Sequence, residues 1–415
     1  MSDWEHQIGP LRGFDFWILN TRGTSGEDPE VPFIPRSDLS IVTYRATLFF
    51  ILVFLPVFCR ADGIPLPPTF MTKDIISASA VSNNPSRFEI DAGGSLGGFN
   101  NIRSIWSLTD KKQSPIIVGS DMPYARLRFG QWERLSNRNW FVAAGSGFRD
   151  EYDGNPDAAQ LYVDLRTKSR NQDEYSPVAN DLHVDARWYG IGRQFDMKVA
   201  GADTTTQIMA RSIKMTDLLA RSLDGSVNNS GFAGNIRILS SDNGERVFGH
   251  GWSLDLRTTI KAGQTWEGLV AAEGLLGRVK WKNLSDQNMY IQSTYVFTDP
   301  DGFYRDAGGI SGIAKKRDLA VDINRNCRFE LMRKSKIVNL IGGISWQEGY
   351  GSVADFGVAI KKYKSITPYT RIYPAESRIE LGAVGKGWHL AFSGDGWLFA
   401  APKNATVDLS AAVRW

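Results

Sequence analysis

The chain has 415 residues, of which 42% are hydrophobic, and 48 basic and 45 acidic side chains give it a net charge of +3. Charges so evenly balanced and spread along the chain give no support to a nucleic-acid partner. Two cysteines, Cys59 and Cys327, are too few for a disulfide framework. The 41 glycines and 13 tryptophans are typical of a protein with many turns and interfacial aromatic rings.

An apolar run from residue 46 to 58 has the length of the hydrophobic core of a signal peptide. It is shorter than the about 20 residues that a membrane-spanning helix needs. Arg45 precedes the run, and small residues at positions −3 and −1 predict cleavage between Ala61 and Asp62. Residues 46–61 are therefore predicted to direct export and to be removed. A lipoprotein modified at Cys59 is the weaker alternative, because the bulky Phe58 precedes that cysteine.

Residues 1–45 fit poorly in front of a signal peptide, because they are long, polar and without hydrophobic periodicity. We interpret them as the product of a misassigned start codon or as a disordered extension. A genuine cytoplasmic extension is the alternative.

Residues 62–86 follow the predicted cleavage site and include Pro65, Pro67 and Pro68. Proline cannot lie within a central β-ladder. The segment is also too polar to face lipid, where unsatisfied backbone groups cost several kcal/mol each. It is therefore predicted to plug a barrel lumen, or else to hang free in the periplasm.

Alternating polarity recurs from residue 87 to 415, as in transmembrane β-strands. In the last ten residues Val407, Leu409, Ala411, Val413 and Trp415 alternate with more polar neighbours. The segments 252–261 and 182–189 alternate in the same way. The pattern predicts an all-β fold, a transmembrane antiparallel β-barrel of about 14 strands (12–16).

Between residues 208 and 223 the alternation gives way to apolar spacings close to those of an amphipathic helix. We predict a short helical insertion in a loop. A helix packed on the barrel rim is one interpretation. In the other, its methionine-rich face binds an apolar ligand, through Ile208, Met209, Ile213, Met215, Leu218 and Leu219.

The final strand, with Val413 and the aromatic Trp415, resembles the C-terminal signature that the barrel-assembly machinery of Gram-negative outer membranes reads. Asn84-Pro85-Ser86 is similar to the Asn-Pro-Ala near the mature N-terminus of the FadL-like superfamily of long-chain fatty-acid transporters and TraF-type conjugal-transfer proteins. Segments 251–256, 269–273 and 279–281 resemble paired strands of that superfamily. The resemblance implies a 14-stranded barrel plugged by its N-terminal residues.

Three histidines of the predicted mature chain, His183, His250 and His389, are candidates for hydrolase chemistry. His250 and Ser253 are three residues apart and would point to opposite faces of a strand. His183 and His389 lack a same-face partner set of serine and acid. The acidic sequence Asp299-Pro300-Asp301-Gly302 is typical of a tight turn rather than of a metal-binding loop. We predict no catalytic residues, no metal and no cofactor.

These features together predict a Gram-negative outer-membrane protein that contacts membrane lipid and the barrel-assembly machinery. The expected function is that of a passive channel or transporter for a small hydrophobic solute. A structural component of an envelope or transfer apparatus is the first alternative, and a lipid hydrolase is the second.

Overall fold

The computed structural model describes most of the chain from residue 64 onward. The described residues are 64–66, 69–76, 88–100, 123–167, 172–228, 231–242, 245–292, 296–298, 304–306, 309–361, 365–395 and 404–414. The predicted signal peptide and the residues Ala61, Asp62, Asn84, Pro85, Ser86 and Trp415 lie outside them. Among the described residues, antiparallel strands predominate, which confirms the all-β prediction.

Eighteen strands follow one another along the described chain. The first nine are β1 Glu89–Asn100, β2 Tyr124–Asn137, β3 Trp140–Gly154, β4 Val178–Val199, β5 Ala202–Asn228, β6 Gly231–Ser240, β7 Gly249–Ala262, β8 Trp266–Gln292 and β9 Val296–Thr298. The others are β10 Tyr304–Asp306, β11 Gly309–Asp322, β12 Asn326–Arg333, β13 Val338–Gln347, β14 Gly351–Ile360, β15 Thr367–Tyr373, β16 Arg378–Gly385, β17 Trp388–Asp395 and β18 Ala405–Arg414. One α-helix, α1 Pro156–Thr167, lies between β3 and β4.

The sheet closes because β1 pairs with β18 as well as with β2. β6 and β7 follow each other along one position of the wall, between β5 and β8. β11 and β12 likewise both pair with β8 in succession. β9 and β10 form a separate hairpin. The barrel wall therefore has 14 strand positions, which confirms the predicted number.

The two ends of the barrel differ in the length of their connections. At the end where β1 begins and β18 ends, β2 turns into β3 over residues 138–139, and β4 turns into β5 over residues 200–201. At the opposite end, β1 joins β2 through residues 101–123, and β8 joins β11 through residues 293–308. Short turns at one end and long loops at the other are typical of outer-membrane barrels, with the short turns in the periplasm.

The outward face of the barrel is apolar. Large hydrophobic side chains are exposed on nearly every wall strand, among them Ile90, Leu96, Leu127, Leu135, Val142, Ile191, Trp252, Leu276, Leu340, Phe356, Ile372, Leu381, Phe392, Leu409 and Val413. Their alternate neighbours point into the lumen, where Ser253, Asp255 and Thr406 are buried. A barrel that presents this face to lipid avoids exposing apolar surface to water.

The structure corrects the prediction of a helix over residues 208–223, because this segment lies within strand β5 and pairs with β4, β6 and β7. Met209, Ile213 and Met215 point inward, while Ile208 points outward and is 38% exposed. The pairing of β5 with β4 shifts register at Thr216, so the buried side chains move from odd positions such as Met215 to the even position Leu218. This bulge breaks the period of two that marks a strand in the sequence. The helix α1 lies in a different connection, between β3 and β4.

Strand β4 differs from the C-terminal strand in the direction in which its apolar side chains point. Its apolar set, Val184, Ala186 and Trp188, is buried inside the barrel, whereas Tyr189 is exposed outside. Alternation alone identifies a strand but does not say which face meets lipid. The inward apolar side chains of β4 make part of the lumen wall apolar.

Candidate functional site

An N-terminal segment lies inside the barrel. Ile64 forms a parallel bridge with Ile323, at the break between β11 and β12. Its backbone N–H donates to the carbonyl of Asp322 at 2.8 Å, and its carbonyl accepts from the N–H of Asn324 at 2.9 Å. In this way the segment supplies hydrogen bonds that the interrupted wall strand would otherwise lack.

Residues 69–76 continue this segment across the lumen, and we call residues 64–66 and 69–76 the plug. The backbone N–H of Thr69 donates to Glu273 at 3.1 Å, and that of Ile75 donates to Glu330 at 2.5 Å. From the opposite direction, Arg257 donates to the backbone carbonyls of Met71 and Lys73 at 2.7 and 2.6 Å. Charged side chains of the lumen therefore bind both N–H groups and carbonyl groups of the plug backbone.

A network of ionic side chains fixes the far end of the plug. Arg371 is fully buried and lies 3.4 Å from Asp74 of the plug. The same guanidinium donates to Asp355 at 2.9 Å and to Glu330, which also binds Ile75. A buried charge is tolerated when it is paired and hydrogen-bonded in this way. The plug and the barrel wall therefore share one charge network.

One sector of the lumen is apolar. Side chains of β2, β3, β4, β5, β8 and the β11–β12 break form one buried cluster with plug residues: Ile64, Leu66, Phe70, Met71, Trp132, Phe141, Ala143, Val184, Ala186, Trp188, Met209, Ile213, Met215, Leu218, Val279, Trp281, Leu284 and Ile323. Phe70 of the plug meets Trp132 and Phe141 with ring centroids 5.3 and 5.9 Å apart. We call this set the apolar sector.

Four of the six predicted ligand-binding residues lie in the apolar sector: Met209, Ile213, Met215 and Leu218. They meet there because they point inward from a strand. Ile208 and Leu219 lie on the outward face of β5, where Leu219 pairs with His183. The structure therefore brings four of the six side chains together in the lumen and places the other two outside, and the role of this segment in ligand binding stays a prediction.

Near Trp188, an ion pair between Arg211 and Asp255 stabilises a bulge in the barrel wall. Gly274 has a φ of +64°, and the pairing of β7 with β8 shifts its register between Leu254 and Leu256. Asp255 lies at that shift, accepts from the N–H of Gly274 at 2.9 Å, and also accepts from Arg211 at 2.9 Å. The carboxylate therefore satisfies a backbone donor that the bulge releases from the ladder.

The opposite side of the lumen holds a cavity of about 570 Å³ that sequence reasoning did not find. Its walls carry five arginines, Arg126, Arg128, Arg149, Arg328 and Arg378, and five acidic side chains, Asp74, Glu273, Glu376, Glu380 and Asp408. We call it the arginine cavity. Arg126 and Arg128 alternate along β2, but Arg149 comes beside them only through the β2–β3 register. Strand register is not readable from one sequence, which is why the cluster was missed.

The histidines occupy three different settings. His183 contacts Asp150 on the outside of β3 and β4, and His250 is exposed on β7. His389 points into the lumen, where its Nε2 lies 2.7 Å from the Tyr369 hydroxyl. Ser253 is buried on the face opposite to His250, as the spacing predicts. In the described part of the chain, no three His, Cys, Asp or Glu side chains lie where they could share a metal ion.

None of the helices in the described ranges is both long and apolar enough to cross a membrane. No protein-family model matches the chain, and no curated protein matches it either. Solved structures similar to it include the toluene transporter TodX of Pseudomonas putida, at 10% identity and a TM-score of 0.40 over 82% of this chain and 92% of that one. The translocator domain of the autotransporter NalP of Neisseria meningitidis has 9% identity and a TM-score of 0.32 over 82% and 92%. The outer membrane protease OmpT of Escherichia coli has 6% identity and a TM-score of 0.21 over 80% and 97%.

The closed sheet and its outward apolar face define a transmembrane β-barrel of the outer-membrane class. Its 14 wall positions and the N-terminal segment inside its lumen agree with the architecture that the resemblance to the FadL-like superfamily implies.

Proposed function

We propose that the protein is a gated passage for small hydrophobic solutes across the outer membrane. The observation that carries the proposal is the apolar sector. The interior of a membrane barrel is ordinarily polar. Here inward side chains of β3, β4, β5 and β8 form one apolar cluster beside the buried Arg211–Asp255 ion pair, and plug side chains belong to the same cluster.

The plug accounts for the gating. Phe70 and Met71 lie against the apolar sector and are almost completely buried, so a solute needs the plug to shift before it meets this wall. Glu273, Glu330 and Arg257 hold the plug through separate hydrogen bonds, one or two from each side chain and each worth about 1 to 3 kcal/mol, so the plug can be displaced stepwise. A displaced plug would leave Met209, Ile213 and Met215 as an adaptable apolar surface.

The proposal is tested by the uptake of N-phenyl-1-naphthylamine into intact Gram-negative cells. This apolar probe fluoresces when it reaches phospholipid, and the lipopolysaccharide leaflet keeps it out. Cells that produce the protein should take up the probe several times faster than cells with an empty vector.

Two variants of β5 sharpen the test. Met215→Asn places a polar group in the apolar sector and should slow the uptake. Ser212→Asn lies on the exposed outward face of the same strand and should not change it. Equal amounts of both proteins in the outer membrane are the control for folding. Uptake equal to that of the empty vector, or equal uptake by the two variants, contradicts the proposal and favours a sealed structural anchor.

A further inference from the structure

Four basic side chains form one row across the outward face of the barrel, where the passage of solutes through the lumen does not use them. Arg187 of β4 is directly opposite Lys214 of β5. Lys214 is also opposite His250 of β7, which in turn is opposite Lys280 of β8. All four side chains are exposed, and their neighbours along each strand face the lumen. Adjacent strands are about 4.8 Å apart, so this basic row is roughly 14 Å long.

The basic row lies at the outer edge of the apolar band. Along β7, the outward positions from Trp252 down to the short turn after Ala262 carry no charged side chain. A strand tilted by about 40° rises roughly 25 Å over about ten residues, which is the height of the apolar band of a membrane barrel. The row therefore lies level with the headgroups of the outer leaflet.

Aromatic side chains mark the same level. Tyr189 and Trp252 occupy the next outward positions below Arg187 and His250, and they are 67% and 54% exposed. Exposed aromatic residues of this kind form the girdle at the boundary between the apolar band and the headgroups. The basic row thus has charged headgroups beside it and apolar surface directly beneath it.

The acidic side chains at neighbouring outward positions have other partners. Asp185 lies 4.0 Å from His183, Asp217 accepts from the Ser241 hydroxyl at 2.8 Å, Asp318 accepts from the N–H of Asn283 at 3.0 Å, and Asp322 lies 3.6 Å from Arg278. Within the described ranges, Arg187, Lys214 and Lys280 make no ion pair with these or other acids. The acids at these positions therefore leave the cations of the row unpaired.

A row of like charges is unfavourable without an anion beside it, because directly opposed like charges destabilise a sheet. Lys214 lies over the Phe248 ring, 4.0 Å from its centroid, and this contact leaves the positive charge in place. The row ends at uncharged residues on both sides, Ser146 opposite Arg187 and Ala320 opposite Lys280. Its positive charge is thus confined to four adjacent strands and fits one anionic headgroup of similar width.

From these observations we infer that the basic row binds the phosphorylated headgroup of lipopolysaccharide, with the acyl chains of the lipid on the apolar surface below. The outer leaflet of a Gram-negative outer membrane consists of this lipid, whose lipid A part carries a phosphate at each end of a disaccharide. Lysine and arginine are phosphate-binding side chains, and an imidazole adds a hydrogen-bond donor. The inference rests on the outer-membrane class of the barrel and not on which solutes cross it.

Native mass spectrometry of the protein purified in detergent tests the inference, by titration with lipid A, with lipid A stripped of its phosphates, and with phosphatidylglycerol. Saturable binding of lipid A should be at least about tenfold tighter than binding of either of the other two lipids, because only lipid A offers phosphates across the whole row. Equal affinity for lipid A and its dephosphorylated form overturns the inference. Equal affinity for lipid A and phosphatidylglycerol also overturns it, since it indicates unspecific attraction of anionic lipid.

Variants of the row locate the site. Lys214→Gln should weaken lipid A binding about fivefold, and the double variant Arg187→Gln with Lys214→Gln about 25-fold, as expected for basic side chains beside anionic lipid. The matched control is Arg193→Gln, which removes an exposed outward arginine of β4 nearer the periplasmic end and should leave the affinity unchanged.

Unboiled electrophoretic mobility equal to that of the wild type shows that each variant is folded. A double variant that binds lipid A like the wild type contradicts the inference. Equal losses in the double variant and in Arg193→Gln contradict it as well, because they separate lipid binding from the position of the row.

Discussion

Asp255 and Arg211 form an ion pair whose side chains are only 0% and 1% exposed, with Nε of Arg211 2.6 Å from Oδ2 of Asp255. Removing one partner of such a pair leaves the other charge buried without compensation. Asp255 also holds the N–H of Gly274, so its loss leaves a backbone donor unsatisfied as well. Asp255→Ala should therefore lower the free energy of unfolding by about 3 to 5 kcal/mol.

Denaturant unfolding in detergent micelles measures this effect, and Asp322→Ala is the matched control. Asp322 faces Arg278 at 3.6 Å, and both side chains are about half exposed. An exposed pair contributes about 0 to 1 kcal/mol. Equal losses in the two variants would show that Asp255 is not buried in the lumen.

At the scale of single elements, the plug is the part of the barrel that decides between an open and a closed lumen. Its residues 64–66 and 69–76 extend from the apolar sector, to which Ile64, Leu66, Phe70 and Met71 belong, to the ionic network around Arg371. Deleting residues 64–76 should raise the single-channel conductance in planar bilayers severalfold, because the cross-section that ions can use widens. Asp74→Ala, which removes one contact of the plug with Arg371, should produce a smaller rise in the same direction.

The control for the plug is Asp203→Ala, since Asp203 pairs with Lys198 at 3.6 Å on the exposed surface near the turn after β4. Its conductance should equal that of the intact barrel. If the shortened and the intact barrels conduct alike, the plug does not fill the lumen in the membrane.

The elements show which parts of the fold a single sequence can predict. The strand at the C-terminus was predicted correctly because lipid lies on one of its faces and a polar lumen on the other. β5 was mistaken for a helix because the bulge at Thr216 moves its buried side chains from odd to even positions, which breaks the period of two. The plug was predicted from its prolines, and the structure places residues 64–66 and 69–76 in the lumen, while Asn84, Pro85 and Ser86 lie outside the described residues. The assembly role of Val413 and Trp415 stays a prediction.

For the whole molecule, the sequence predicted a closed barrel but not its asymmetric lumen. The apolar sector and the arginine cavity both arise where strands distant in sequence, such as β2, β12 and β16, come together around a ring. Alternation reports the neighbours within one strand and says nothing of those across the lumen. Predicting the cavity would have required the register of 14 strand positions.

A closed ladder has no free edge at which detergent can begin to unfold it. The folded protein should therefore migrate faster in dodecyl sulfate gels when it is unboiled than when it is boiled, and it should fractionate with the outer membrane. Identical mobility of the two samples, or a soluble periplasmic pool, would count against a closed barrel.

The central claim is that the protein is a membrane-spanning barrel with its apolar face toward lipid, and a nitroxide scan along β18 tests it most directly. Labels are attached to single cysteines in a protein in which Cys59 and Cys327 are replaced by serine. In reconstituted bilayers, collision with dissolved oxygen should be high at the outward Val407, Leu409, Ala411 and Val413 and low at the inward Thr406, Ser410 and Ala412. A water-soluble nickel complex should not reach the outward sites. Collision rates that do not alternate, or nickel access to the outward positions, would contradict the account.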